Sequence, residues 1–140
     1  MLTVSRIRRA YCMTGLRPAS DVYLDETRGL ACPVAAVCLA EKRLHPRQLR
    51  PPRAWRNVLR ALDEPRPYVI AFIDTINRWH TRDAAPTIPA RSRTPDPTLR
   101  LLRRGTRDGE RVGRALFGPR PRRTRRRPAT PAAITRRTTR

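Results

Sequence analysis

The chain has 140 residues and a formal net charge of +21, from 32 Lys+Arg against 11 Asp+Glu; 31 of the 32 basic residues are Arg, with 15 Pro and 6 Gly. Its longest apolar run, Leu30 to Ala40, contains Pro33 and is far shorter than the roughly 20 residues a membrane-crossing helix needs, so a transmembrane segment is excluded. Three Cys are too few, and odd in number, for a disulfide scaffold, and no apolar leader follows Met1, which together fit a reducing intracellular compartment.

Residues 1–20 form a basic N-terminal segment with Arg6, Arg8, Arg9 and Arg17 and no acid before Asp21. Being Arg-rich, Ser/Thr-bearing and acid-free, it looks like a mitochondrial transit peptide, although a plain basic segment is the simpler reading.

Residues 21–82 carry five of the seven aromatic residues and three helical patterns. The first runs from Pro33 to Leu44, opened by a proline whose missing N–H costs nothing in the first turn. The second runs from Pro52 to Asp63, where Trp55, Val58, Leu59 and Leu62 follow i, i+3, i+4, i+7 spacing. The third runs from Pro67 to His80, with Val69, Phe72, Ile73, Ile76 and Trp79 on one face. Its front, residues 68–73, is rich in β-formers, which leaves a short strand as an alternative.

Beyond residue 83 the composition changes. Residues 84–140 hold +14 of the net charge and one aromatic, Phe117. Such a stretch cannot offset its ordering entropy. Residues 83–98, with Pro86, Pro89, Pro95 and Pro97, read as a linker. Residues 99–118 read as two short basic helices or disorder, weakened by Gly105, Gly109 and Gly113. Residues 119–140 have no acid and no aromatic and read as a disordered tail. The expected fold is therefore mainly α: a small three-helix domain with a core of marginal size, a Pro-rich linker and an Arg-rich C-terminal arm.

The arm presents Arg120, Arg122, Arg123, Arg125, Arg126, Arg127, Arg136, Arg137 and Arg140. Crowded guanidinium groups repel one another. A polyanion relieves that repulsion and gives up its counterions, while the planar fork matches a phosphate with two hydrogen bonds. Nothing in the arm reads bases, so the expected mode is sequence-independent and salt-sensitive. In composition the arm is similar to the arginine-rich arms of capsid proteins and to protamine-like segments, over about 20 residues. A solvated charge run is the competing reading, and anionic membrane surfaces are a further partner class. Arg, Pro, Ala and Gly make up 68 of the 140 residues, all with GC-rich codons, so coding bias could also produce this charge.

The remaining chemistry is thin. Cys12, Cys32, Cys38 and His45 contain no tight C-x2–4-C pair, so no metal site is expected. No nucleophile elbow, zinc-protease, P-loop or dinucleotide motif occurs, and no catalytic residue or cofactor is assigned. A catalytic site would require Asp74, His80 or Cys38 to converge.

The leading expectation is a non-catalytic accessory protein that binds nucleic acid or another polyanion through its Arg-rich arm, in the cytoplasm, nucleoid, nucleus or mitochondrion. The first alternative is a protein-interaction or self-association module using a Trp55/Leu62/Ile76 face. The second is a product whose charge merely records GC-rich coding. A minor alternative is a helix-turn-helix reader whose third helix presents Asp74, Thr75, Asn77, Arg78 and Thr81 to DNA.

Overall fold

The computed structural model describes residues 1–80 and 96–119. They form five α-helices, one 3-10 turn and a three-stranded sheet of two-residue strands. The expected helical character is present, and the small sheet is an addition.

Helix α1 (Val4–Thr14) occupies the expected basic N-terminal segment. Thr3 caps it by accepting from the Arg6 amide at 3.2 Å, and Gly15 ends it at φ 69°, a left-handed conformation that suits a residue without a β-carbon. Ile7, Ala10 and Tyr11 of α1 are buried, so this helix supplies one wall of the core. The Tyr11 hydroxyl donates to the Ala31 carbonyl at 2.8 Å and ties α1 to the sheet.

The strands are β1 (Arg17–Pro18), β2 (Leu24–Asp25) and β3 (Leu30–Ala31), in the order β1-β3-β2. β1 pairs with β3 in parallel, and β2 pairs with β3 antiparallel. Leu30 and Ala31 lead directly into α2 (Pro33–Ala40), with Cys32 as its N-cap and Pro33 in its first turn. Helix α2 is buried from Pro33 through Cys38, on all sides rather than on one stripe. Cys32 and Cys38 are accordingly both in the interior.

Helix α2 ends at Ala40, short of the expected Leu44, and Pro46 opens the 3-10 turn Pro46–Leu49. Helix α3 (Ala54–Ala61) follows, buried through Ala54 and Val58. Helix α4 (Arg66–Asn77) resolves the alternative at residues 68–73 in favour of helix. Tyr68, Val69, Ala71, Phe72, Ile73, Thr75 and Ile76 are buried along it, and only its end residues, Arg66 and Asn77, are exposed.

Helix α5 (Pro97–Phe117) is one continuous helix of 21 residues where two short ones were expected. Asp96 caps it, accepting from the Thr98 amide at 2.8 Å. Its Gly105, Gly109 and Gly113 are all buried, four residues apart on one face, and that face is pressed against α4. A β-carbon on Gly105 would run into the Tyr68 carbonyl oxygen, one on Gly109 would meet the Thr75 side chain, and one on Gly113 would enter the Trp79 ring. The glycines that cost helix propensity are thus the groove that receives α4. The contacts advance in the same sense along both helices, so α4 and α5 run parallel. His80 and Phe117 close the far end edge to face, with ring centroids 5.3 Å apart.

The core therefore extends beyond the three central helices. It joins Leu2 and Ile7 near the N-terminus, Val34, Val37, Phe72 and Ile76 in the centre, and Val112 of α5. The Tyr68 hydroxyl accepts from the Leu2 amide at 3.1 Å and donates to the Asp108 carboxylate at 3.0 Å, which joins the segment before α1 to α4 and α5 at one atom. The expected linker over 83–98 lies mostly outside the described residues, as do Arg120 to Arg140. The chain beyond it, however, returns to the core through α5.

Candidate polyanion interface

The described residues are far more basic than acidic, and their carboxylates are largely engaged. Glu41 holds Arg6 at 2.7 Å and Arg43 at 2.7 Å. The Arg6 hydrogen bond, against some loss of solvation and with help from Arg43, keeps the Glu41 carboxyl below its ordinary value. Glu64 pairs with Arg6 and with the Met1 amine. Asp25 meets Arg28, Glu26 meets Arg50 and Asp74 meets Arg78. Asp108 is bound to Tyr68, and Asp96 caps α5. The arginines left over are the ones with charge to offer.

Five of them form a line on α5. Arg100, Arg104, Arg107, Arg111 and Arg114 are all exposed, and none makes an ion pair among the described residues. Their spacing of 4, 3, 4, 3 places them within an arc of about 80° at 100° per residue, over roughly 21 Å of helix length. By the same rotation the glycines sit on the opposite side of the helix, centred about 180° away. Packing and charge are thus assigned to opposite faces by residue type: glycines where α4 must approach, arginines where it does not. Glu110 is the one exposed acid on α5 and borders the line beside Arg107, Arg111 and Arg114.

A second group lies on α3 and the start of α4. Trp55, Arg56, Leu59, Arg60 and Arg66 surround a surface cleft of about 530 Å3. Trp55 and Leu59 pack on the core with part of their surface and leave the rest open to the cleft.

The nine arginines of the expected binding arm, Arg120 to Arg140, lie outside the described residues. The α5 line was missed in the sequence, although its 4-3-4-3 spacing is legible there. Reading residues 99–118 as two short helices or disorder hides it.

The residues of the alternative readings are placed as follows. Of those assigned to a groove-reading helix, Thr75 is fully buried with its hydroxyl donating to Ala71, Arg78 is paired with Asp74 at 2.9 Å, Asn77 is exposed, and Thr81 lies outside the described residues. Of the Trp55/Leu62/Ile76 face, Leu62 and Ile76 are core residues and Trp55 is half-buried. Asp74, His80 and Cys38 are likewise separated in role: Asp74 holds Arg78, His80 packs on Phe117, and Cys38 is buried with its thiol pushed up to about 12 by loss of solvation. No group of three or more His, Cys, Asp or Glu suited to a metal ion occurs among the described residues, and no helix among them is long and apolar enough to cross a membrane.

The chain matches no protein-family model, no curated protein and no solved structure.

Proposed function

We propose that this is a non-catalytic basic accessory protein that binds nucleic acid without sequence specificity. The α5 arginine line provides an ordered contact surface, and the arginines from Arg120 to Arg140 extend it along the chain. The observation that carries this reading is the line itself: five exposed arginines, without ion-pair partners among the described residues, on one face of a helix anchored by its opposite face. Like charges held in register repel, and a phosphate backbone laid along them replaces that repulsion with attraction and counterion release. Guanidinium forks suit phosphate oxygens, and a rigid helix fixes their positions before contact, which lowers the entropy cost of binding. The line holds no Asn, Gln or aromatic side chain with which to read or stack on a base.

The test is anisotropy with two labelled duplexes of unrelated sequence, titrated between about 50 and 200 mM salt. Equal affinities with a steep salt dependence are expected. Removing residues 119–140 should take away the larger share of that dependence and leave the share that belongs to α5. A near-flat slope in the intact protein, or a strong preference for one duplex, would overturn the reading.

A further inference from the structure

The cleft beside Trp55 has a composition that the α5 line lacks: an aromatic face together with unpaired cations. Trp55 and Leu59 stand four residues apart on α3 and form an apolar floor. Arg56 and Arg60, also four apart, rise on the solvent side, and Arg66 closes the cleft from the first residue of α4. None of the three arginines makes an ion pair among the described residues, none stacks on the indole, and no carboxylate lines the cleft. The floor is held in place from below. Ala54 and Val58 are buried, and Asn57 donates to the Gln48 carbonyl at 2.7 Å, which fastens α3 to the 3-10 turn. At about 530 Å3 the cleft is within the range of small-ligand sites.

We infer that this cleft binds one nucleotide of a single-stranded nucleic acid, its base stacked on Trp55 and its flanking phosphates held by Arg56, Arg60 and Arg66. A flat π-surface accepts any base, so the site adds a preference for unpaired strands without adding a sequence preference. A paired base is already stacked within its duplex and cannot lie on the indole. The inference extends the polyanion reading but rests on different residues, so each can fail alone.

Trp55 gives a direct signal, because the other tryptophan, Trp79, is only 2% exposed. The full chain is titrated with oligo(dT) and with an abasic oligonucleotide of the same length, following tryptophan emission and anisotropy. Oligo(dT) should quench the emission and bind about tenfold more tightly than the abasic strand, which should not quench. Trp55→Phe should retain part of the difference, and Trp55→Leu should remove it while leaving abasic binding unchanged. The surface variant Arg56→Ala/Arg60→Ala/Arg66→Ala, which touches no core residue, should weaken oligo(dT) binding and the quench together. Equal affinity for the two strands, or a quench that survives loss of the three arginines at unchanged affinity, would overturn the inference. Neither outcome bears on duplex binding by α5.

Discussion

Gly109 of α5 lies so close to Thr75 of α4 that a β-carbon on the glycine would stand 2.9 Å from the Thr75 β-carbon. The same closeness recurs one turn to either side, at Gly105 and Gly113. It has an unusual consequence for mutation. Gly→Ala in a helix interior ordinarily stabilises by about 0.8–1 kcal/mol. Here overpacking, at about 1–3 kcal/mol, opposes that gain. The loss should be greatest at Gly105, where the obstacle is the Tyr68 backbone carbonyl and cannot rotate away. Urea unfolding of Gly105→Ala should show a clear loss of stability, and Gly109→Ala a smaller one. A stabilised Gly105→Ala would mean that α5 does not seat on α4 in this way.

The Tyr68 hydroxyl offers a second test of how the helices are joined. It satisfies the Leu2 amide and the Asp108 carboxylate at once. Tyr68→Phe keeps the ring and its tilted contact with Phe72, at 6.4 Å between centroids, but leaves both partners without it. A loss of about 1–3 kcal/mol is expected by denaturant titration, since a donor and a charged acceptor lose their partner together. No change in midpoint would show that water replaces the hydroxyl at both sites.

The buried thiols predict an alkaline limit to stability. Burial pushes Cys32 and Cys38 from the usual 9.0 up to about 12. Above pH 9 the unfolded chain gives up protons that the fold retains, so this contribution is complete below about pH 9 and is lost as pH rises towards 12. Each thiol contributes a slope of up to about 1.4 kcal/mol per pH unit in that window. The melting temperature should therefore fall above pH 9, and fall less steeply in Cys32→Ala/Cys38→Ala. Identical alkaline slopes would contradict the burial. In the native state near neutral pH a thiol reagent should modify Cys12, which is exposed, and leave the other two intact.

How much of this was legible in the sequence depended on which signal each residue sends. Pro33 marks a real element boundary, because a missing N–H and a fixed φ act locally, and Pro46 and Pro65 stand at two further element starts. In the sequence the arginines and lack of acids of α1 signal only charge, while Thr3 at its start and Gly15 at its end are the residues that mark the helix. By helix propensity alone the glycines of α5 are only a cost. Their four-residue spacing is a packing signal that takes its meaning from a partner helix, and α4 is distant in sequence. The arginine line is visible only when residues 97–117 are taken as one helix. The strands are two residues long and leave no periodicity to read. The cleft at Trp55 joins α3 to the first residue of α4 across a turn, a juxtaposition no local pattern contains.

The central claim is that the exposed face of α5 is a phosphate-binding surface. Its most direct test is the salt dependence of duplex affinity for the full chain and for Arg104→Ala/Arg107→Ala/Arg111→Ala. These three side chains are exposed and lie opposite the glycine face, so the substitutions spare the fold. Each phosphate contact contributes about 0.9 to the slope of log affinity against log salt, so the slope should fall in magnitude by roughly 2.7 in the triple variant. An unchanged slope, in a variant that unfolds at the same denaturant midpoint as the parent, would contradict the account.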